Sequence, residues 1–488
     1  MSEVSNTLRF VLNDEEVALS ELRATETLLD YLRLSKRLRG SKEGCAEGDC
    51  GACTVLVGRL KDGDLVYESI NACIAFTGSL HGTHVVTIEH LSAANGPLHP
   101  VQQAMVDFHG SQCGFCTPGI VMSLYGLWMA EPKPGAAAIE KALQGNLCRC
   151  TGYSPIVRAG QAISSYGAAE ADPLVAERAA MKAKLMALND GKTVEIGEGK
   201  DRLIVPATVD DLAEIYAANP GATLVSGATD VGLWVTKFMR DIGPMVTIGH
   251  LPELHSIAET DGALVLGAGV TYSEATGAVA RHFPQLVELW DRIGGAQVRN
   301  AGTIGANIAN GSPIGDTPPP LIVLGASITL RRGGERREVK LRDYFIAYGK
   351  QDRNPGEFVE SVTIPYLPAG ELLGCYKITK RKDEDISALC GAFRVFVNDD
   401  GNVGMVRIAF GGMAATPKRA KAVEAALLGK PWTNATIEAA LPAFAEDYQP
   451  ISDMRASKEY RLLAAQNLLR RFHLETVGEG QRLVRAVA

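Results

Sequence analysis

Eight of the ten cysteines in this 488-residue chain fall between Cys45 and Cys150; only Cys375 and Cys390 lie beyond. The first four read Cys45-x4-Cys50-x2-Cys53, then nineteen residues, then Cys73. That C-x4-C-x2-C…C spacing is the plant-type 2Fe–2S pattern. Three thiols on one loop suit a binuclear core, whereas structural zinc prefers paired C-x2–4-C knuckles, which makes zinc the weaker alternative. Gly44, Gly48 and Gly51 let the loop take positive φ and come close to an inorganic core, so that its amides can donate to sulfur. Before the loop, residues 7–12 and 15–20 alternate about Asn13-Asp14 as a hairpin does, and 26–34 has helical spacing with Thr25 as its expected N-cap.

The second set is Cys113-x2-Cys116, thirty-one residues, then Cys148-x-Cys150. Short helices are expected over 99–110, 117–130, 136–146 and 154–167, with Pro100, Pro118 and Pro155 near three of the starts. Helix N-termini favour an anionic group. Taken alone, these four thiols can be a zinc site or a C-x-x-C redox pair; directly after the first set, a second cluster is the better reading. Residues 168–195, rich in Ala, Glu and Lys, read as a helical or extended linker.

Beyond 196 short strands alternate with helices, and two small-residue segments stand out: Leu224–Val231, and 300–311 with Asp316 following. Neither is G-x-G-x-x-G, so a Rossmann site is not indicated. Gly227 at a strand end can expose amides to a phosphate. Gly302, Gly305 and Gly311, among Thr303, Asn307 and Asn310, can let a pyrophosphate or sugar touch backbone, and Asp316 can accept from a ribityl or ribose hydroxyl. On the residues alone, glycine turns of this kind in an α/β domain are usually just turns. The mixed charges of 376–386 read as a solvated loop. Cys375 and Cys390 read as small buried fillers, Trp234 and Trp290 as core, and none of the nine histidines as a ligand.

Both cysteine loops resemble the iron–sulfur region of the molybdenum hydroxylases (xanthine dehydrogenases, aldehyde oxidases and carbon monoxide dehydrogenases), and all eight positions match. The resemblance implies one 2Fe–2S cluster on Cys45, Cys50, Cys53 and Cys73, and another on Cys113, Cys116, Cys148 and Cys150. The second would lie nearer a molybdenum cofactor, with Gln112 and Gly114 on the loop that meets its pterin. Ser154 departs from the Arg often found there but touches no ligand. The later segments resemble the family's FAD-binding domain. The match implies FAD contacts at Leu224, Val225, Ser226, Gly227, Ala228, Thr229, Asp230, Val231, Ile293, Thr303, Ile304, Gly305, Ala306, Asn307, Asp316, Val359 and Lys377. Ala228 departs from the usual Gly or Asn, and Ile293 from an aromatic found in some relatives. The loop 382–385 would border the approach of NAD.

The implied fold is α+β and multidomain: a ferredoxin-like β-grasp 2Fe–2S domain over 1–88, a helical-bundle 2Fe–2S domain over 89–167, the linker 168–195, a PCMH/VAO-type FAD-binding domain over 196–375, and a C-terminal domain of the CO dehydrogenase flavoprotein type over 376–488. Within the family, the order of parts is similar to the small iron–sulfur and flavin subunit of bacterial xanthine dehydrogenases. That implies an electron relay to FAD and NAD+ during hypoxanthine and xanthine oxidation, with no catalytic acid or base on this chain. A large molybdopterin-binding partner is expected, two copies of each chain forming a heterotetramer. The alternative is the equivalent part of a hydroxylase acting on aldehydes or N-heterocycles, with another acceptor. A net charge of −7 lends no support to nucleic-acid binding. The N-terminus has no signal-peptide pattern, and apolar runs such as Leu321–Ala326 fall far short of the ~20 residues that span a bilayer. A soluble, cytoplasmic chain is therefore expected, where clustered thiols favour metal over disulfides.

Overall fold

The computed structural model describes residues 2–92 and 96–480. Met1, residues 93–95 and residues 481–488, which belong to the expected first, second and last domains, lie outside the described residues. The chain divides into two compact units: Met1–Glu253 with Gly294–Gly302, and Leu254–Ile293 with Thr303–Ala488.

The first unit opens with a five-stranded sheet in the order Glu15–Leu19, Leu8–Leu12, His84–Val86, Thr54–Lys61, Asp64–Asn71. The hairpin turns at Asn13, which takes φ 52°. Leu8–Leu12 and His84–Val86 run parallel and the other pairs antiparallel, which is the β-grasp arrangement. Leu8, Phe10, Val55, Val57 and Val85 bury one face against Leu28, Leu29 and Leu32. The helix there begins later than the sequence suggests. Thr27, not Thr25, is the N-cap, accepting from the Asp30 amide at 3.1 Å. An antiparallel bridge from Thr27 to Phe76 keeps the preceding backbone extended.

Helices Pro100–Asp107, Thr117–Ala130, Ala136–Ala142 and Ser154–Ala162 form the bundle. The second is apolar nearly all round, and accordingly buries Ile120, Val121, Leu124, Tyr125 and Trp128. Segment 168–195 is helical at Ala169–Ala171, Pro173–Ala176 and Arg178–Leu188, and it is packed. Asp172 accepts from Tyr125 Oη at 2.7 Å and lies 2.8 Å from His99 Nε2; Leu174 enters the bundle core. Thr193–Ile196 then pairs in parallel with Val4–Ser5. The sheet continues through Leu203–Val205, Met245–Thr247 and Thr223–Val225.

The second unit holds an antiparallel sheet ordered Ile257–Glu259, Ala263–Gly267, Phe358–Pro365, Ser327–Arg332, Glu335–Lys340. Charge hides the last two strands in the sequence. Nearby carboxylates absorb it: Arg331 and Arg336 pair with Glu360 on strand Phe358–Pro365, and Arg337 with Glu357 and Asp352 in the segment before that strand. A second antiparallel sheet, Glu371–Ile378, Leu389–Val397, Val403–Gly411 and Lys418–Arg419, packs on helix Lys458–Thr476 through Phe393 and Phe472. Cys375 and Cys390 are buried, their sulfurs 4.0 Å apart. Trp290 is buried, whereas Trp234 is half-buried under the Arg240 guanidinium, 5.7 Å from the ring centroid. Among the described residues no helix is long and apolar enough to cross a membrane.

Candidate functional site

The first cysteine loop joins the helical turn at residues 28–35 to strand Thr54–Lys61, which places Cys53 at a strand start, and Cys73 follows the partner strand Asp64–Asn71. Pairing of Thr54 with Asn71 therefore brings Cys53 and Cys73 together, and both are buried. The thiols form a chain: Cys45 hydrogen bonds with Cys50 and Cys73, and Cys73 with Cys53. Hydrogen bonds from Cys50 and Cys73 hold Cys45 far below the ordinary thiol value. The bond to Cys73 likewise lowers Cys53, and Cys50 and Cys73 are pushed up in return. Amides of Glu47 and Cys50 donate to Cys45 Sγ, each at 3.4 Å. Gly48 and Gly51 take positive φ, as does Ala46, but Gly44 does not. Gly44 instead gives close approach, since a Cβ there would lie 2.8 Å from Cys50 Sγ.

In the bundle, Cys116 is the N-cap residue of Thr117–Ala130, and Cys148 and Cys150 precede Ser154–Ala162. The thiols interact as two pairs, Cys113 with Cys150 and Cys116 with Cys148. Burial, then the bond to Cys148, pushes Cys116 up to about 12. Burial acts to raise Cys148, but donors from Thr151 and the backbone bring it below the usual thiol value. Cys113 and Cys150 are exposed, with Phe115 and Tyr153 partly exposed beside them. Among the described residues no three His, Cys, Asp or Glu side chains are placed to hold a single metal ion. The second set, associated two by two, fits the four-thiolate demand of a binuclear iron–sulfur core better than a mononuclear zinc site.

The two loops meet. The Leu147 amide donates to the Cys50 carbonyl at 2.9 Å. Gly51, at φ 67°, has room for no side chain, because a Cβ would fall 2.0 Å from the Gly145 carbonyl oxygen. Thr54 Oγ1 and Asn146 Nδ2 donate to the Gly51 carbonyl at 2.6 and 3.2 Å, and Ser123 Oγ donates to Asn146 Oδ1 at 2.7 Å. Thr54, Ser123 and Asn146 were not among the residues singled out from sequence. One signal was there: Ser123 is the one aliphatic hydroxyl in the apolar run 120–129.

The expected flavin residues are distributed over both units. Leu224–Val231 lies in the first, where strand Thr223–Val225 leads into helix Val231–Thr236. A Cβ on Gly227 would lie 1.5 Å from the Ala301 carbonyl oxygen, so backbone passes backbone there. Ala228 takes φ 59°, a left-handed conformation that Gly or Asn adopts at less cost than Ala. Thr236 Oγ1 donates to the Ala46 carbonyl at 2.7 Å, which ties this helix to the first cysteine loop.

The second unit holds Ile293, Thr303–Asn307, Asp316, Val359 and Lys377. The stretch 300–311 is largely helix, Ile304–Asn310, capped by Thr303. The amides of Ile304, Gly305 and Asn307 are engaged by the carbonyls of Val270, Ala268 and Thr303. Ala306 has only the Thr303 hydroxyl at 3.4 Å, so of these amides it is the one best placed to serve a phosphate. Asp316 is held by Lys377 Nζ at 2.7 Å and Ser387 Oγ at 2.5 Å; Lys377 also donates to the Arg292 carbonyl at 2.9 Å. Arg292 and Ser387 were missed from sequence. The Ile293 and Val359 side chains belong to the hydrophobic core, so only their backbone is suited to touch a cofactor. In the loop 380–386, the Lys380 and Arg381 amides donate to Asp385 Oδ2 at 3.0 and 2.9 Å.

Four family models match in succession: the 2Fe–2S iron–sulfur cluster binding domain over residues 10–77, the [2Fe–2S] binding domain over 87–161, the FAD binding domain in molybdopterin dehydrogenase over 198–367, and the CO dehydrogenase flavoprotein C-terminal domain over 374–476. The chain belongs to the molybdenum hydroxylase family. It carries that family's iron–sulfur and flavin domains. Xanthine dehydrogenase of Emericella nidulans is 33% identical over 502 residues, covering 91% of this chain and 37% of that protein. Xanthine dehydrogenase/oxidase of Rattus norvegicus is 31% identical over 529 residues, covering 98% and 39%. The chain thus spans under two fifths of the length of these molybdenum hydroxylase relatives. Among solved structures, carbon monoxide dehydrogenase from Hydrogenophaga pseudoflava matches with TM-score 0.52 and 27% identity, over 55% of this chain and 93% of that one. Quinoline 2-oxidoreductase from Pseudomonas putida 86 matches with TM-score 0.51 and 26% identity, over 57% and 97%.

Proposed function

We propose that this chain is the electron-transfer subunit of a xanthine dehydrogenase, linking a molybdenum cofactor on a large partner subunit to NAD+ during oxidation of hypoxanthine and xanthine to urate. The observation that carries the reading is the order of parts: two cysteine loops and then a flavin domain on one chain, aligned with xanthine dehydrogenases along 91–98% of its length. When bound, the clusters supply one-electron steps and FAD supplies the conversion to the two-electron hydride that NAD accepts.

The residues of this chain bind and orient. Cys45, Cys50, Cys53 and Cys73 would hold one cluster, and Cys113, Cys116, Cys148 and Cys150 the other. Leu224–Val231 and Thr303–Asn307 would receive FAD, with Lys377 and Asp316 supplying fixed charge. Lys382–Asp385 would tune access of NAD. No side chain here is asked to act as acid or base toward the purine.

The test is purification with the molybdopterin-binding partner, cofactor analysis and assay with xanthine and NAD+. Iron, FAD and NADH formation are expected together. Iron and FAD with turnover of an aldehyde or N-heterocycle, and none of xanthine, would favour the second reading, which the likeness to quinoline 2-oxidoreductase supports. Absence of both flavin and iron–sulfur absorption would overturn both.

A further inference from the structure

Residues 294–302 lie inside the stretch matched by the FAD-binding model, yet they group with the unit that carries the eight cysteines. The short helix Ala296–Ala301 brings Gln297 into that unit's interior, 1% exposed. Its Nε2 faces three oxygens: Asn146 Oδ1 at 2.9 Å, Thr54 Oγ1 at 3.1 Å and Ser123 Oγ at 3.3 Å. Thr54 directly follows Cys53, and Asn146 stands two residues before Cys148. One amide therefore bonds to a residue flanking each cysteine loop, and to a helix between them.

Three acceptors around Nε2 fix the orientation of the amide. The cost appears at its other end, where Oε1 is buried without a hydrogen-bond partner among the described residues. Gly145 makes the space, since a Cβ there would lie 2.0 Å from Oε1. Arg299 and Asn300 anchor the same segment, donating to Gln144 Oε1 at 2.6 Å and the Ser69 carbonyl at 3.0 Å. A buried polar network of this kind holds its members in one arrangement when each donor is matched. The arrangement held is the one in which the Leu147 amide meets the Cys50 carbonyl.

We propose that Gln297 is a positioning residue for electron exchange between the two cysteine loops, supplied by the flavin-domain sequence. The proposal rests on the reading of the eight cysteines as ligands of two clusters. Gln297 touches no ligand sulfur; it acts through Thr54 and Asn146 on the loops that carry them, as residues behind a metal's ligands tune it.

The test is an anaerobic redox titration of the full-length protein, followed by electron paramagnetic resonance of the two clusters, for wild type and Gln297→Met. Met fills similar volume and removes the donor. Gln297→Met is expected to keep the wild-type iron content. It should change the one-electron equilibrium between the clusters about tenfold, a relative shift of about 59 mV, and alter their mutual spin interaction. Wild-type midpoints and splitting in a variant with full iron overturn the proposal. If Gln297→Met loses iron, Ser123→Ala, which removes a hydroxyl carried by a bundle helix, decides in its place: a smaller shift of the same sign supports the proposal, and no shift overturns it. A wild-type protein without two distinguishable clusters overturns the ligand reading itself, which the same spectra reveal separately.

Discussion

The amide of Leu147 donates to the carbonyl of Cys50 at 2.9 Å, joining two cysteine loops that lie almost a hundred residues apart in the chain. The approach depends on Gly51, whose left-handed backbone costs an ordinary residue about 1–2 kcal/mol and whose missing side chain leaves room for the Gly145 carbonyl. Gly51→Ala is expected to lower thermal stability by more than that backbone cost and to lose iron. Iron per chain and the unfolding midpoint check it; wild-type values for both would refute the account.

Serine substitution separates the two sets from the remaining cysteines. Cys53→Ser and Cys150→Ser should each remove about half the iron, because each set of four thiolates serves its own cluster. Cys375→Ser and Cys390→Ser should leave iron unchanged, their sulfurs lying 4.0 Å apart in a separate core. Iron analysis with visible absorption reads all four.

Lys377 and Asp316 form an ion pair with the lysine side chain 2% exposed. Lys377→Met leaves the Asp316 charge without its cation, a change that typically costs about 3–5 kcal/mol. FAD content should fall sharply and stability with it, while Lys377→Arg should retain more of both. Equal FAD content in wild type and Lys377→Met would remove Asp316 and Lys377 from the flavin site.

His84 is fully buried between Tyr67 Oη at 2.7 Å and the Asn13 carbonyl at 2.8 Å. Burial lowers its pKa from 6.5 to about 4, with the Asn13 bond partly opposing. The folded form is thus the neutral ring, and the unfolded chain takes up the proton first. The stability from this shift is present above pH 6.5 and is lost as pH falls toward 4, up to about 3 kcal/mol. Denaturant midpoints of wild type should drop across that window more steeply than those of His84→Gln. Parallel curves would refute it.

Ala228 sits at φ 59° in the Leu224–Val231 turn. Ala228→Gly should raise stability by up to about 1 kcal/mol, through relief of left-handed strain, without lowering FAD content. Reduced FAD would show that the methyl group itself packs on the cofactor.

Much of the local structure was legible in the cysteine spacing and the helix starts. The hairpin at Asn13, the four bundle helices and the strand Thr223–Val225 all follow from alternation, helical periodicity and proline placement within a few residues. Strands Ser327–Arg332 and Glu335–Lys340 were hidden because their arginines look solvated until Glu357 and Glu360 are seen beside them. The run 300–311 reads as turns on its residues alone, because the small residues that suit turns also suit a tightly packed helix, here with Gly305 against Ala268.

By itself the sequence determined the spacing of Cys45, Cys50 and Cys53 on one loop, whereas strand pairing of Thr54 with Asn71 brings Cys73 to them. Ligand spacing within one loop is a short-range property, set by covalent geometry and turn chemistry over a few residues. The tertiary structure alone decided how the loops are joined. Thr54 and Gln297 are 243 positions apart, and no local pattern relates them. Their hydrogen bond exists because a glycine-lined junction excludes water, and a buried amide must then find its partners within the protein.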